Sequence, residues 1–276
     1  MYRAASARHS DEKNTDMEIA PGVHSIGQKE GGQVRCFLLD DGRALALIDT
    51  LWDTDGHRIL EEIKRLGRSA TDLKHIVLTH AHRSHLGGLA TLKQVSRALV
   101  CCHPWEADIV QGERRAQPVP ILPMRPLSVY YRVYQLQFGA ALGLGRHPPC
   151  PVDRAVEDGD QIGPIQVVHT PGHTPGHLAF YWPERRSMFA GDAVVTYPIL
   201  SAGWPAFVLN RKQAHASLRR MEQFEPEVIG VGHGNAITED ATERLHTLTQ
   251  QAYQQWMAGQ LQGLKATPAE PRGNRQ

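Results

Sequence analysis

Three histidines within six residues constrain this chain more than any other feature of its sequence. They lie in the segment 80–85 (HAHRSH), directly after the apolar run 76–78. Neutral imidazole is the commonest nitrogen ligand of zinc and related ions in proteins. Because histidines two positions apart cannot share one face of a regular helix, the segment predicts a loop that leaves a strand and directs its histidines at one ion. A histidine-rich surface turn is the alternative.

Three later segments have the same construction, in which a short apolar run is followed by a glycine-flanked histidine or aspartate. They contain His173 (TPGHT), Asp192 (AGDA) and His233 (GHG). Glycine allows the backbone to turn sharply and to approach a bound ion closely. Each segment alone is too short to indicate a function, but the four together predict a single metal site.

On these motifs the chain resembles the metallo-β-lactamase-fold hydrolase superfamily. The family signature is H-x-H-x-D-H, then a histidine in P-G-H-T, an aspartate in G-D and a histidine in G-H-G. The resemblance extends from Gly22 to Leu248 and includes the run 44–50 (ALALIDT), which looks like the family's second strand with its supporting aspartate, here Asp49. It implies an α/β fold, an αββα sandwich with helices outside two facing sheets and a metal centre in the loops along one edge.

The resemblance also implies two sets of metal ligands that share one bridging carboxylate, here Asp192. The first set consists of three histidines, and the second set contains two histidines together with the aspartate of the first motif. The histidines in this sequence are His80, His82 and His173 for the first ion and His85 and His233 for the second.

Ser84 stands where the family has that motif aspartate. A serine hydroxyl is a poor zinc ligand, and it cannot offset the charge of two dications held about 3.5–4 Å apart. We therefore expect one tightly bound zinc and a second that is weak or absent.

The first ligand set resembles the three-histidine arrangement of catalytic zinc, in which bound water titrates near about pH 7. It predicts a metal-dependent hydrolase that uses a metal-bound hydroxide on a small ester, lactone, thioester or similar substrate. Asp192, His85 or His233 would take or return the proton. Asp49 would orient the histidine loop by hydrogen bonds rather than bind metal.

A mononuclear iron oxidoreductase is the alternative function. The family includes sulfur dioxygenases that resemble glyoxalase II, and His80, His173 and Asp192 could form the two-histidine, one-carboxylate set that suits Fe(II). Those relatives usually keep the motif aspartate, so Ser84 does not favour this alternative.

The stretch 127–144 is rich in tyrosine and lies between proline-rich segments, which indicates a helical insertion at about 118–151. It would form either a lid with an apolar wall for substrate or a helix that packs on the core or in a homodimer. Tyr131, Tyr197 and Trp204 are candidates for the substrate pocket, although packing explains them equally well. His177 is expected to support the site or to face solvent.

Composition limits the remaining possibilities. A length of 276 residues, with 41% of them hydrophobic, predicts one domain at 18–262, with a disordered segment at 1–17 and a flexible tail at 263–276. The net charge of +1 indicates no basic surface of the kind that binds nucleic acid, so we expect a small-molecule substrate. No run reaches the roughly 18 apolar residues of a membrane span, no secretory core precedes the domain, and four cysteines show no CxxC spacing. These features predict a cytoplasmic protein.

Overall fold

The computed structural model describes residues 16–116, 127–142 and 146–266. Residues 1–15 of the N-terminal segment predicted at 1–17, residues 267–276 of the tail predicted at 263–276, and residues 117–126 and 143–145 in and next to the predicted insertion lie outside the described residues. The strands are β1 (Met17–Ala20), β2 (Val23–Gln28), β3 (Val34–Asp40), β4 (Leu45–Ile48), β5 (Leu73–Val77), β6 (Leu99–Cys102), β7 (Arg154–Ala155), β8 (Gln161–Ile162), β9 (Ile165–His169), β10 (Leu178–Trp182), β11 (Ser187–Phe189) and β12 (Val228–Gly230). The helices are α1 (Glu30–Gln33), α2 (His57–Arg65), α3 (Arg83–Leu86), α4 (Leu89–Ser96), α5 (Pro104–Val110), α6 (Leu127–Ala141), α7 (Arg211–Glu222) and α8 (Ala241–Ala266).

The strands form two sheets. The first contains β1 to β7 in chain order; its pairs are antiparallel as far as β4 and parallel from β4 to β7. The second has the order β12-β11-β10-β9-β8, in which β11 and β12 are parallel and the other pairs are antiparallel. Each parallel pair needs a crossover connection, and helices such as α2, α4 and α7 lie in these connections.

Successive side chains of a strand point to opposite faces of its sheet. Each sheet therefore packs against the other sheet on one face and against helices on the other, which gives four layers. In β3, Phe37 and Leu39 pack between the sheets, whereas Leu38 on the opposite face packs against α2, α4 and α5. In β10, Phe180 faces the space between the sheets and Ala179 packs with α7 and α8. The fold is therefore an αββα sandwich, as the resemblance implied.

The apolar runs 44–50 and 76–78 coincide with β4 and with the end of β5, whereas β2 has no such run. All six of its residues are buried, and they include His24, Ser25 and Gln28, so the strand has no apolar signature. Helix α2 begins at His57, after Gly56, which takes a positive φ of 64° at the cap position. The Asp55 carboxylate accepts a hydrogen bond from the His57 N–H at 3.0 Å.

In the described part of the chain, no helix is both long enough and apolar enough to cross a membrane.

Candidate metal centre

The four histidine and aspartate segments meet at one edge of the sandwich. The loop after β5 carries His80 and His82, and α3 begins directly after it and carries His85. His173 follows β9, Asp192 lies in a single 3₁₀ turn after β11, and the last histidine of the pattern follows β12. Because these strands end at the same edge, loops from both sheets converge there.

The first group comprises three histidines and one carboxylate, whose ligand atoms all lie within 4.8 Å of one another. Nε2 of His80 is 3.0 Å from Nδ1 of His82 and 3.2 Å from Nε2 of His173, and the third nitrogen pair is 3.0 Å apart. Oδ2 of Asp192 lies 3.5 Å from His173 Nε2 and 3.8 Å from His80 Nε2.

Asp192 also joins the second group, which contains His85 and His233. Oδ1 of Asp192 is 3.3 Å from His85 Nε2, and Oδ2 is 3.2 Å from His233 Nε2. The carboxylate therefore faces both groups. Its close approach to the GHG loop requires glycine at position 232, because a Cβ there would lie only 2.0 Å from Oδ1.

Hydrogen bonds on the far side of the rings direct lone pairs into the centre. The Thr79 hydroxyl donates to Asp49 at 2.8 Å and therefore accepts at 3.0 Å from Nδ1–H of His80, which leaves Nε2 of His80 as a lone pair. His233 Nδ1 donates to the Gly32 carbonyl at 3.0 Å in the same way. Bonds of this kind fix the tautomer and the orientation of metal-ligating histidines.

The geometry fits a bound cation. Three nitrogens in a triangle form three neighbouring pairs, and a proton on one nitrogen can point at only one of the other two. At least one pair is therefore left without a hydrogen bond, and its two nitrogens repel each other at about 3 Å. A cation removes that repulsion. Nitrogens at 2.0–2.1 Å from a tetrahedral zinc are about 3.4 Å apart, close to the spacing observed for His80, His82 and His173.

The charge state of the first group suits metal binding. Burial lowers the pKa of His82 to about 4 and holds the pKa values of His80 and His173 well below the usual range. All three imidazoles are thus neutral at pH 7, as ligands must be. Burial alone would raise the pKa of Asp192, but His233 and His85 outweigh it and keep the pKa of that carboxyl well below its ordinary value.

The pKa of His85 is shifted in the opposite direction from those of His80, His82 and His173. Burial lowers its pKa, yet the neighbouring carboxylates Asp192 and Asp49 outweigh burial and raise the pKa to about 10. Asp49 accepts hydrogen bonds from His85 Nδ1 at 2.9 Å and from the Thr79 backbone N–H at 2.8 Å. It therefore connects the strand end, the histidine loop and α3.

Ser84 lies beside the second group but outside both clusters of ligand atoms. Its side chain is partly buried and packs near Gly31, where a Cβ would lie 3.3 Å from that of Ser84. Gly32, the next residue, accepts the hydrogen bond from His233. Position 84 therefore adjoins the turn that orients one histidine of the second group.

An apolar cluster covers the same edge. Trp204 stacks on His233 with ring centroids 4.1 Å apart, and Phe207 packs edge-on to His82 at 6.1 Å. Helix α6 contributes Tyr130 and Val133, both buried, to this cluster. Of the pocket candidates, Trp204 belongs to the buried cluster and Tyr197 packs against it, whereas Tyr131 is 58% exposed on the outer face of α6.

Two buried groups outside the ligand set support the centre: His177, for which support was one of the two expectations, and Glu106, which was not predicted. His177 is buried, accepts a hydrogen bond from the Asp192 N–H at 3.2 Å and pairs with Thr170 at 2.8 Å, so it supports the aspartate loop. Glu106 in the first turn of α5 is 1% exposed and accepts a hydrogen bond from the Ala81 N–H at 3.1 Å. No local pattern in the sequence singled out Glu106, because its partners lie in loops of other elements.

Glu106 also predicts a dependence of stability on pH. Burial raises its pKa from 4.5 to about 7, so between these values the folded protein holds a proton that the unfolded chain releases. The unfolding free energy of the wild type should therefore fall, relative to that of Glu106→Gln, as pH rises through this window, by up to about 1.4 kcal/mol per pH unit. Urea unfolding of both proteins without metal, at pH values from about 5 to about 8, measures the difference. Parallel pH curves would contradict it.

An αββα sandwich with a histidine and aspartate cluster at one edge is the arrangement that the family resemblance implied. Residues 30–233 match the family described as the metallo-beta-lactamase superfamily. That match spans most of the chain, so the chain belongs to the metallo-β-lactamase superfamily and is a metallo-hydrolase.

Relatives with similar sequences agree with this assignment. The chain is 29% identical over 233 residues to the uncharacterized protein YobT of Bacillus subtilis, covering 79% of this chain and 90% of the relative. It is 27% identical to the probable metallo-hydrolase YflN of Bacillus subtilis, covering 80% and 87%. It is also 26% identical to a hydroxyacylglutathione hydrolase of Cereibacter sphaeroides, covering 64% of this chain and 54% of the relative. The match thus spans about half the length of that hydrolase.

Solved structures agree as well. The metallo-beta-lactamase family protein TTHA1429 from Thermus thermophilus superimposes with a TM-score of 0.62 at 25% identity, covering 91% of this chain and 85% of that one. TTHA1623, solved in a di-iron-bound form, gives a TM-score of 0.58 at 29% identity and covers 78% and 93%.

Proposed function

We propose that this protein hydrolyses a small thioester, ester or lactone with one firmly held zinc. His80, His82 and His173 would hold the ion, with Asp192 beside it. The observation that carries the proposal is the triangle of three neutral imidazole nitrogens 3.0–3.2 Å apart. The similarity to a hydroxyacylglutathione hydrolase supports a thioester as the first substrate class to test.

The chain's own groups would supply the positioning and the proton transfers. A zinc bound there supplies Lewis acidity for a carbonyl oxygen and for water. The ionised carboxylate of Asp192, with one oxygen toward each group, would orient the attacking water and accept its proton. His85 or His233, both within 3.3 Å of that carboxylate, would return a proton to the leaving group.

The test combines metal analysis with hydrolysis assays. Protein from metal-replete growth should contain about one zinc per chain. It should cleave at least one member of a panel made of a hydroxyacylglutathione thioester, an aryl ester and a lactone. A chelator should abolish hydrolysis, and added zinc should restore it. Hydrolysis that survives complete removal of metal would contradict the proposal.

Phe207 supports an apolar acyl group in the substrate. It is partly buried and packs edge-on to His82, so an acyl chain at the first group would contact it. Phe207→Ala should raise KM for a long-chain thioester about tenfold, equivalent to about 1.4 kcal/mol of lost apolar contact, and should change KM for an acetyl thioester little. Equal effects on both substrates would contradict this orientation of the acyl group.

An iron enzyme is the second candidate, because the similar protein TTHA1623 was solved with two irons. His80, His173 and Asp192 form a two-histidine, one-carboxylate set that suits Fe(II). One iron per chain, together with oxygen consumption on a persulfide substrate and no hydrolysis of the panel, would favour this candidate over the hydrolase. A homodimer and a cytoplasmic location stay predictions.

A further inference from the structure

Glu106 connects two loops that carry ligands of the first group. Its Oε2 accepts a hydrogen bond from the backbone N–H of Ala81, which lies between His80 and His82. Its Oε1 accepts a hydrogen bond from the hydroxyl of Thr174, the residue after His173. The backbone N–H of Gly176 also donates to this carboxylate.

These two loops belong to different sheets, so their relative position is a tertiary property. The first loop follows β5 in the first sheet, and the second joins β9 to β10 in the second sheet. At their base a backbone hydrogen bond of 2.8 Å runs from the Leu178 N–H to the Thr79 carbonyl. Glu106 makes its bonds further out, next to the ligands themselves.

Close packing around the carboxylate supports the same role. A Cβ at Gly176 would lie 2.8 Å from Glu106 Cγ, 2.9 Å from its Oε1 and 3.0 Å from Nδ1 of His103. Any other residue at 176 would therefore displace either the glutamate side chain or the loop. A buried carboxylate is also costly unless its hydrogen bonds are satisfied, and Glu106 satisfies them only with these loops in place.

We propose that Glu106 is a positioning residue that sets the spacing between His173 and the pair His80 and His82, and thereby the metal affinity of the first group. The inference rests on the proposed metal centre and adds to it a residue that touches neither metal nor substrate. Loss of the connection between the loops would remove no ligand. It should widen the spacing of the three nitrogens and thereby weaken metal binding.

The test measures zinc affinity directly, by competition with a chromophoric chelator, and records the absorption spectrum of the Co²⁺-loaded protein. Glu106→Ala should weaken zinc binding about tenfold or more, the size of effect seen when a supporting partner of a metal site is lost. It should also change the cobalt spectrum, which reports ligand geometry. Glu106→Gln should keep affinity within about threefold, because its amide oxygen can accept from Ala81 and its amide N–H can donate to the Thr174 hydroxyl, so that at most the bond from the Gly176 N–H is lost.

Glu62→Ala is the matched control. Glu62 is also a buried glutamate, 4% exposed, but it pairs with Arg65 at 2.6 Å and lies in α2, away from both loops. It should lose stability and keep its zinc affinity. Thr174→Val removes one bond to Glu106 with little change in volume, so it tests the connection even if Glu106→Ala does not fold; it should weaken zinc binding and change the cobalt spectrum.

Three outcomes would overturn the inference in different ways. Unchanged zinc affinity and cobalt spectrum in Glu106→Ala, or in Thr174→Val where the alanine variant does not fold, would show that the connection does not set ligand spacing. An equal loss of affinity in Glu62→Ala would assign the effect to general destabilisation. A wild type that binds neither zinc nor cobalt would overturn the metal centre itself, and the proposed function with it.

Discussion

Replacing His80 with alanine should lower the rate of hydrolysis at least about 1000-fold and remove most of the bound zinc. His80 is fully buried, and its Nε2 belongs to the triangle that brings the first group together. Without it two nitrogens remain, and the several kcal/mol that a Lewis acid contributes to the transition state are lost with the ion. Elemental analysis and kcat/KM on the best substrate of the panel measure both effects.

His57→Ala is the control for this experiment. The His57 side chain is 66% exposed and pairs with Glu61 on the surface of α2, so its loss should leave zinc content and kcat/KM unchanged. A His80→Ala protein that kept its zinc and its activity would show that the ligand group lies elsewhere. Removal of zinc without loss of hydrolysis would instead separate the metal from the chemistry.

Replacing Ser84 with aspartate should raise the metal content from about one to about two ions per chain. The second group has two histidines and shares the carboxylate of Asp192, so position 84 would supply the missing negative charge. A carboxylate that binds the ion directly should raise the metal affinity of the second group by more than the roughly 10–100-fold that a supporting residue contributes. Titration with zinc, followed by a competing chelator, measures the second binding constant.

Ser84→Asn provides the matched comparison. Asparagine has the size and shape of aspartate but no charge, so it should leave the second site weak. Equal metal content in the wild type and Ser84→Asp, in metal-saturated protein, would mean that the other residues of the second group already hold a second ion. In that case Ser84 would not be the reason for any difference from two-metal relatives.

The clustering of the candidate metal ligands was predictable because they come from local patterns. His80 and His82 follow an apolar strand, and His173 and His233 lie in glycine-flanked turns, so each segment could be recognised separately. The αββα sandwich followed from resemblance, and the structure and the family match agree with it. Strand β2 was missed because both of its faces are buried and polar residues occupy three of its six positions.

Apart from Asp49 and His177, the supporting residues could not be predicted in the same way. Glu106 is 68 positions or more from the loop residues Thr174 and Gly176 that it contacts, and no periodicity in the sequence connects them. The stacking of Trp204 on His233 likewise depends on two loops that meet only in the folded chain. Of the neighbours Tyr130 and Tyr131, the sequence favoured the second as a pocket residue, whereas the first packs in the cluster beside the centre, since the rotation of α6 depends on what it packs against.

The sequence by itself therefore determined which residues can bind a metal, because donor atoms and the glycines that expose them are local properties of short segments. It also identified Ser84 as the departure from the family pattern. The tertiary structure alone decided how far apart the donor nitrogens lie, which ring atoms face the centre and which buried groups hold the loops, because these distances arise where two sheets and their helices pack together.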